Sequence, residues 1–128
     1  MTQSFHLSFV VPDKSLAKEF YLNVLGCTLG RDHDVWFDIL FFGHQLTIHQ
    51  SSTQMPAYTI DHFGPILDKA KWQDVVESLR ENDLEFVMKP TLKNIGTTNE
   101  SGKFLIKDPA GNLLEFKYYL DFGETVGA

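Results

Sequence analysis

Two histidines and one glutamate, His6, His62 and Glu115, are the residues of this chain whose types and spacing could do chemistry. Each histidine precedes an amphipathic helical segment, and Glu115 lies in the last apolar segment. Two imidazoles and one carboxylate can bind a divalent ion and leave coordination positions open for water or substrate. Such a set suits Fe(II), Mn(II), Zn(II), Ni(II) or Co(II). Each residue alone is more often structural, but together they form a candidate metal site.

The two histidines occupy the same place in an internal repeat. Placing His62 on His6 gives an offset of 62 − 6 = 56 residues. The same offset aligns Trp72 with Leu16, Val76 with Phe20 and Asn82 with Gly26. The first two pairs predict the buried face of a helix, and the third pair is suited to the left-handed conformation that ends a helix. The two halves are therefore predicted to be copies of one unit.

The second copy is longer than the first. Its turn glycine, Gly111, follows Gly43 by 68 residues, so the excess is 68 − 56 = 12 residues. The excess falls in the polar segment Thr91–Gly102. We interpret this segment as a loop and a candidate lid over a site.

The apolar spacing predicts the element order β-α-β-β-β in both halves, with Asp13 and Asp68 as helix N-caps. In residues 4–50 the predicted elements are strand Ser4–Val11, helix Lys14–Leu25 and strands Thr28–Arg31, Val35–Phe42 and Gln45–Gln50. Ser51–Ala57 is the predicted linker. In residues 58–120 they are strand Tyr58–Ile66, helix Lys69–Glu81 and strands Glu85–Lys89, Lys103–Lys107 and Asn112–Leu120. Residues 1–128 are thus predicted to form one α+β domain of two half-domains.

Composition favours a small-molecule ligand. The net charge is 11 − 17 = −6, and the basic residues are scattered, which disfavours nucleic acid and anionic membranes as partners. The apolar stretch VWFDILFF is interrupted by Asp38 and is too short to span a membrane. The single cysteine, Cys27, is interpreted as a core thiol. Without an export signal, we expect a soluble, cytoplasmic protein.

Four segments, HLSFVVPD, FYLNVLGC, DHFGPIL and KDPAGNLLEFKYY, resemble the vicinal oxygen chelate superfamily. That superfamily includes glyoxalase I, fosfomycin-modifying enzymes, extradiol dioxygenases and bleomycin-resistance proteins. The resemblance covers nearly the whole chain. It implies two βαβββ modules that form an incomplete barrel around a divalent metal, which chelates two oxygens of a substrate. Carried over residue by residue, it implies His6, His62 and Glu115 as the metal ligands.

Where this sequence departs from the family pattern, the departures bear on which type of family member it resembles. Glyoxalase I has a fourth ligand, a glutamate, where alignment of the turn glycines places Thr47, a poor ligand. Gln45 and His49 share a strand face with Thr47 and are candidate catalytic or cavity-wall residues, and Ser8 shares a face with His6. A role like that of the fosfomycin-modifying enzymes also calls for a basic cluster, which the sequence does not assemble beyond Lys103, Lys107 and Lys117.

Two functions remain open. The first is a metal-dependent enzyme, glyoxalase-like or dioxygenase-like, in which Gln45 or His49 acts near the open positions of the metal and Ser8 and Thr47 contact substrate. The second is a metal-free binding protein of the bleomycin-resistance type, with an aromatic groove lined by Trp36, Phe41, Phe63 and Phe104. Core packing is the alternative interpretation of these aromatics. Because neither half can bury its sheet alone, we also expect a homodimer, in which modules pair within a chain or across chains.

Overall fold

The computed structural model describes residues 5–51 and 62–121. Within these ranges, residues 5–51 with 108–110 form one compact unit, and residues 62–107 with 111–121 form another. Each unit contains a four-stranded mixed sheet with its helix. The prediction of two βαβββ modules is confirmed. None of the helices in the described ranges is long and apolar enough to cross a membrane.

The first module begins with a strand and a helix that changes type along its length. Its elements are β1 His6–Val11, α1 Lys14–Lys18, a π-helical continuation Glu19–Val24, β2 Thr28–Asp32, β3 Trp36–Phe41 and β4 His44–Gln50. The strand order is β1-β4-β3-β2, and β1 pairs with β4 in parallel. The predicted helix Lys14–Leu25 is therefore present but is π-helical over its second half.

The second module repeats this topology. Its elements are β5 Ile66–Leu67, α2 Lys69–Glu81, β6 Met88–Lys93, β7 Ser101–Lys107 and β8 Leu113–Tyr119. The strand order is β5-β8-β7-β6, and β5 pairs with β8 in parallel. The predicted strand Tyr58–Ile66 and linker Ser51–Ala57 lie mostly outside the described residues.

Helix ends follow the predicted capping, with one exception. The Asp13 and Asp68 carboxylates accept hydrogen bonds from the Leu16 amide at 3.1 Å and the Lys71 amide at 2.8 Å. Gly26 adopts the predicted left-handed conformation with φ of 75°. In the second module Asp83, with φ of 54°, takes this conformation, so the prediction for Asn82 is wrong by one residue.

Each helix covers one face of its sheet. In the second module, Trp72, Val76 and Leu79 are buried against that face, and the Trp72 indole donates to the Phe116 carbonyl at 2.9 Å. In the first module the buried helical residues are Ala17, Phe20 and Tyr21, whereas Leu16 is 54% exposed. The prediction that Leu16 is buried is wrong, because the stripe of residues i, i+3 and i+4 starts at Ala17.

The turn before β8 is held by a buried carboxylate. Asp108 accepts from the Ala110 amide at 3.0 Å and from the Tyr21 hydroxyl at 2.9 Å. Burial, followed by the nearby Asp108 charge, raises the pKa of Tyr21 well above its usual value, so the phenol remains a donor. Gly111 completes the turn with φ of 88°. The DPAGN motif therefore forms the turn that leads into β8.

The predicted loop Thr91–Gly102 is sheet at both ends. Residues up to Lys93 belong to β6 and residues from Ser101 belong to β7, which leaves a turn of residues 94–100. The strand predicted at Glu85–Lys89 is instead found at Met88–Lys93, closer to the C-terminus. Pairing with β7 determines which residues form β6. The predicted 12-residue loop is thus shortened to a turn of seven residues.

Glu100 fixes this turn to α2. Its carboxylate contacts Lys69 Nζ at 2.7 Å, and it accepts from the Tyr118 hydroxyl at 2.8 Å and the Gly96 amide at 3.1 Å. The Lys69 hydrogen bond, then those of Gly96 and Tyr118, lower the pKa of Glu100 from 4.5 to about 2. The carboxylate therefore stays ionised in the fold well below the pH at which it becomes protonated in the unfolded chain.

This lowered pKa predicts a pH-dependent contribution to stability. The contribution is complete above pH 4.5 and is lost as the pH falls towards about 2. Glu100→Gln should be less stable than wild type at pH 7, and its stability should fall less across that acid range, as measured by urea unfolding at a series of pH values. Glu77→Gln, at an exposed position of α2, is the control. Identical pH profiles for wild type and Glu100→Gln would contradict the assignment.

Candidate functional site

In the second module, the backbone next to His62 pairs with the strand that carries Glu115. The Phe63 amide donates to the Leu113 carbonyl at 3.1 Å, and the Glu115 amide donates to the Phe63 carbonyl at 2.8 Å. A Cβ atom on Gly64 would lie 1.8 Å from the Glu115 carbonyl oxygen. Only glycine permits this approach, so Gly64 allows the parallel pairing.

That pairing brings two predicted metal ligands together. His62 Nε2 lies 3.8 Å from Glu115 Oε1, with the histidine side chain 44% exposed and the glutamate side chain 13% exposed. Two donors that each lie about 2.1 Å from one ion are about 3.0 to 3.4 Å apart at tetrahedral or octahedral angles. The observed separation of 3.8 Å is slightly wider than this range. The donor types of the pair, an imidazole nitrogen and a carboxylate oxygen, are ones that a divalent ion accepts.

Lys117 contacts the same carboxylate oxygen. Its Nζ lies 3.2 Å from Glu115 Oε1 and 3.4 Å from the Tyr119 hydroxyl. Burial works to lower the pKa of Lys117, but the hydrogen bonds with Glu115 and Tyr119 outweigh it and raise this pKa. The ammonium group is therefore charged and balances Glu115. A divalent ion bound at Glu115 would take over that role.

In the first module, strand pairing gathers the other predicted site residues on one face. β1 runs parallel to β4 in a register that sets His6 beside Gln45, Ser8 beside Thr47 and Val10 beside His49. Side chains at alternate positions of paired strands share a face. His6 and Ser8 are exposed there, Gln45 and His49 are half-buried, and Thr47 is buried. The predicted group of polar residues is thus brought together within this module.

Asp38 is a member of this face that sequence reasoning did not single out as functional. It lies opposite Thr47 in the β3–β4 pairing and is only 5% exposed. The Thr47 hydroxyl donates to Asp38 Oδ1 at 2.7 Å, and Arg31 Nε donates to Oδ2 at 2.5 Å. Burial acts to raise the pKa of Asp38, but these bonds prevail and lower it. The sequence feature that could have pointed to Asp38 is its position as a charged residue in the middle of the apolar stretch VWFDILFF.

Trp36 supplies an aromatic surface on the same strand as Asp38. Its ring stacks on His33 at 4.2 Å between centroids, and Arg31 Cζ lies 4.9 Å from its centroid. The His49 ring is 6.1 Å away. Trp36 is half-buried, so the prediction that it contacts a ligand remains compatible with its position.

Two of the other aromatics predicted to line a groove are core residues. Phe104 is completely buried and stacks on Phe116 at 4.8 Å between centroids, and Phe41 is 3% exposed. Their strand positions face the helix, so Phe104 is corrected from a substrate contact to a core residue. Cys27 is half-buried and does not belong to the core as predicted, but burial raises the pKa of its thiol to about 12, which disfavours a reactive thiolate.

The described residues establish the two halves of the candidate site separately. His6 belongs to the first module, whereas His62 and Glu115 belong to the second. Across residues 5–51 and 62–121, no group of three or more His, Cys, Asp or Glu side chains is arranged to hold a metal ion. Of the three predicted ligands, His62 and Glu115 are the two that these residues bring close together.

Comparison with known proteins agrees with the fold. The model of the glyoxalase/bleomycin resistance protein/dioxygenase superfamily matches residues 3–116. A glyoxalase/bleomycin resistance protein/dioxygenase from Alicyclobacillus acidocaldarius is 32% identical with a TM-score of 0.77, covering 93% of this chain and 92% of its own. Among curated proteins, no sequence matches this chain.

Two more distant structures are similar in fold alone. A lactoylglutathione lyase from Agrobacterium tumefaciens is 17% identical with a TM-score of 0.72, covering 96% of this chain and 98% of its own. TioX from Micromonospora sp. ML1 is 13% identical with a TM-score of 0.75, covering 92% of this chain and 99% of its own. The fold is thus shared by proteins with little sequence identity to this chain.

The close approach at Gly64 predicts a large cost for any side chain there. Gly64→Ala should lower the free energy of unfolding by about 1–3 kcal/mol or more, because its Cβ collides with backbone rather than with a movable side chain. Gly30→Ala is the matched control in the other sheet, since its Cβ would lie 3.2 Å from the Asp38 Cβ. Urea unfolding measures both variants. An equal, small loss for the two would show that the pairing tolerates a side chain at Gly64.

Proposed function

Because the chain belongs to the glyoxalase/bleomycin resistance protein/dioxygenase superfamily, we propose that it is a divalent-metal-dependent enzyme acting on a small oxygenated substrate. His6, His62 and Glu115 are the proposed ligands. The observation that carries this proposal is the 3.8 Å separation of His62 Nε2 and Glu115 Oε1 on paired backbone segments. The ion, one of Fe, Mn, Zn, Ni or Co, would polarise substrate oxygens when bound.

The chain's own residues supply binding and proton handling in this proposal. Glu115 is largely shielded from water, which strengthens its interaction with a cation. Gln45 and His49 lie two strand positions on either side of Thr47, on the face shared with His6 and Ser8. His49 is the proposed acid or base, and Gln45 and Ser8 are proposed to orient the substrate.

The hydrogen bonding of Thr47 favours a metal site with three protein ligands. Its hydroxyl proton is donated to Asp38, which Arg31 holds as a carboxylate. This bond fixes the Thr47 side chain in the first module and leaves only its oxygen lone pairs for a substrate hydroxyl or water. A fourth protein ligand at this position is therefore not part of the proposal, which distinguishes it from glyoxalase I.

A metal-free binding protein is the second candidate. It is favoured by the contact of Lys117 with Glu115, which neutralises the carboxylate without a metal ion. It is also favoured by the half-buried Trp36 ring, stacked with His33 and close to Arg31. Such a surface suits a planar or aromatic ligand. Metal content separates the two candidates.

Removal of a ligand should abolish metal binding. Protein purified without chelators should contain about one divalent ion per site, and His62→Ala should lose it because about one of three protein–metal bonds is removed. His33→Ala and His44→Ala are controls; His33 stacks on Trp36, and His44 Nδ1 accepts from the Phe5 amide. Elemental analysis measures the content. Full metal retention in a variant with alanine at His6, His62 and Glu115 would reject the proposed site.

We also propose that the protein is a cytoplasmic homodimer in which each site combines modules of two chains. In that arrangement His6→Ala and Glu115→Ala chains each bind no metal alone. A mixed dimer restores one intact site, because both lesions fall in the other site. Random mixing should return about a quarter of wild-type metal content, whereas pairing within a chain returns none. No recovery despite demonstrated subunit exchange would reject the crossed arrangement.

A further inference from the structure

The second module contains a cleft lined by three lysines. Lys93, Lys103 and Lys117 surround a cavity of about 200 Å³, together with the hydroxyl-bearing residues Thr91, Ser101 and Tyr119. Strand register explains this grouping. Thr91 pairs with Lys103, which pairs with Lys117, and in the next row Lys93 pairs with Ser101, which pairs with Tyr119. The six side chains therefore share one face of β6, β7 and β8.

The charge of the cleft is opposite to that of the whole chain. Three of the eleven lysines and arginines line it, although the chain carries a net charge of −6. Lys117 is balanced by Glu115. Among the described residues, no carboxylate lies within ion-pair distance of Lys93 or Lys103. Two of the three lysines that line the cleft thus have no ion-pair partner among the described residues, and the like charges of the three lysines repel one another.

Hydroxyl groups add neutral hydrogen-bonding capacity. Ser101 and Lys103 are half-buried, and the Tyr119 hydroxyl lies 3.4 Å from Lys117 Nζ. Thr91 donates its own proton to the Lys89 carbonyl at 2.7 Å, so it offers only an acceptor. Lysine ammonium groups combined with Ser and Tyr hydroxyls match an oxyanion with several acceptor atoms. The volume suits a small molecule or one group of a larger molecule.

We propose that this cleft binds the anionic group of a small ligand, and that the group is a phosphate-type dianion rather than a carboxylate. Two uncompensated lysines match two negative charges, and lysine binds phosphate as a point charge. Lys117 contacts both the cleft and Glu115, so the anion would lie beside the proposed metal ligand. The identification of this ligand as the substrate rests on the proposed function; the anion site itself does not.

The lysines that line the cleft differ from the basic residues Lys103, Lys107 and Lys117 that the sequence suggested. Lys107 is exposed at the end of β7 and does not line the cavity, whereas Lys93 does. Lys93 lies in the segment that was interpreted as a loop, and the extension of β6 places it in the same row as Ser101 and Tyr119. Lys107 therefore provides a matched control on the same strand as Lys103.

The test is titration of the full-length, chelator-treated protein with inorganic phosphate at pH 8 and low salt, followed by backbone amide NMR shifts. Saturable shifts confined to β6, β7 and β8 are expected. Lys103→Met and Lys93→Met should each weaken binding about tenfold, and the double variant should abolish it. Lys103→Arg should retain most of the affinity, and Lys107→Met should change it less than twofold.

The outcomes separate this proposal from the metal site. Absence of saturable phosphate binding, shifts outside these strands, or equal weakening by Lys107→Met would overturn the anion site. Acetate that binds as tightly as phosphate would overturn the choice of a dianion. His62→Ala should lose metal yet keep phosphate binding, whereas Lys93→Met/Lys103→Met should keep metal and lose phosphate. Failure of the metal proposal would leave the wild-type phosphate titration unchanged.

Discussion

The parallel pairing of the segment after His62 with β8 is the constraint on which the candidate chemistry depends. The Phe63 and Glu115 amides donate hydrogen bonds that join the two backbones. Gly64 has no Cβ atom, so the backbones can approach this closely. These hydrogen bonds fix the register of the two backbones, and hence the positions of the His62 and Glu115 Cα atoms along the strand. His62 and Glu115 are consequently neighbours because of main-chain geometry, and their positions do not rely on flexible side-chain packing.

The first module uses the same parallel pairing with different side chains. β1 lies beside β4, so His6 has Gln45 as its neighbour where His62 has Glu115 nearby. The buried carboxylate on the corresponding face of this module is Asp38, which is hydrogen-bonded by Thr47 and Arg31. The two modules thus share a strand arrangement but differ in the partners of their carboxylates. Glu115 is paired with Lys117 near His62, whereas Asp38 is hydrogen-bonded by Thr47 and Arg31.

The parts of this architecture that follow local rules were predictable from the sequence. Helix Lys69–Glu81 was predicted at its observed bounds, because Asp68 caps it and its apolar residues keep a helical spacing. β6 was misplaced because MKPTLK carries a weak alternation and becomes a strand through pairing with β7. The same misplacement concealed Lys93. The sequence grouped His62 and Glu115 with His6 as candidate ligands through the repeat and the family resemblance, whereas the hydrogen bonds of Asp38 with Thr47 and Arg31 depend on three-dimensional contacts.

Lys117 connects the two proposed sites electrostatically. Its ammonium group forms an ion pair with Glu115, and Lys117 also lines the cleft that contains Lys93 and Lys103. If Glu115 held a divalent ion, Lys117 would no longer be needed to balance the carboxylate and would be free to contact an anion in the cleft. An anion held by Lys117 in the cleft would, in turn, leave Glu115 more accessible to a metal ion. Under the two proposals each ligand therefore favours the other, and thermodynamic reciprocity requires the same coupling free energy in both directions.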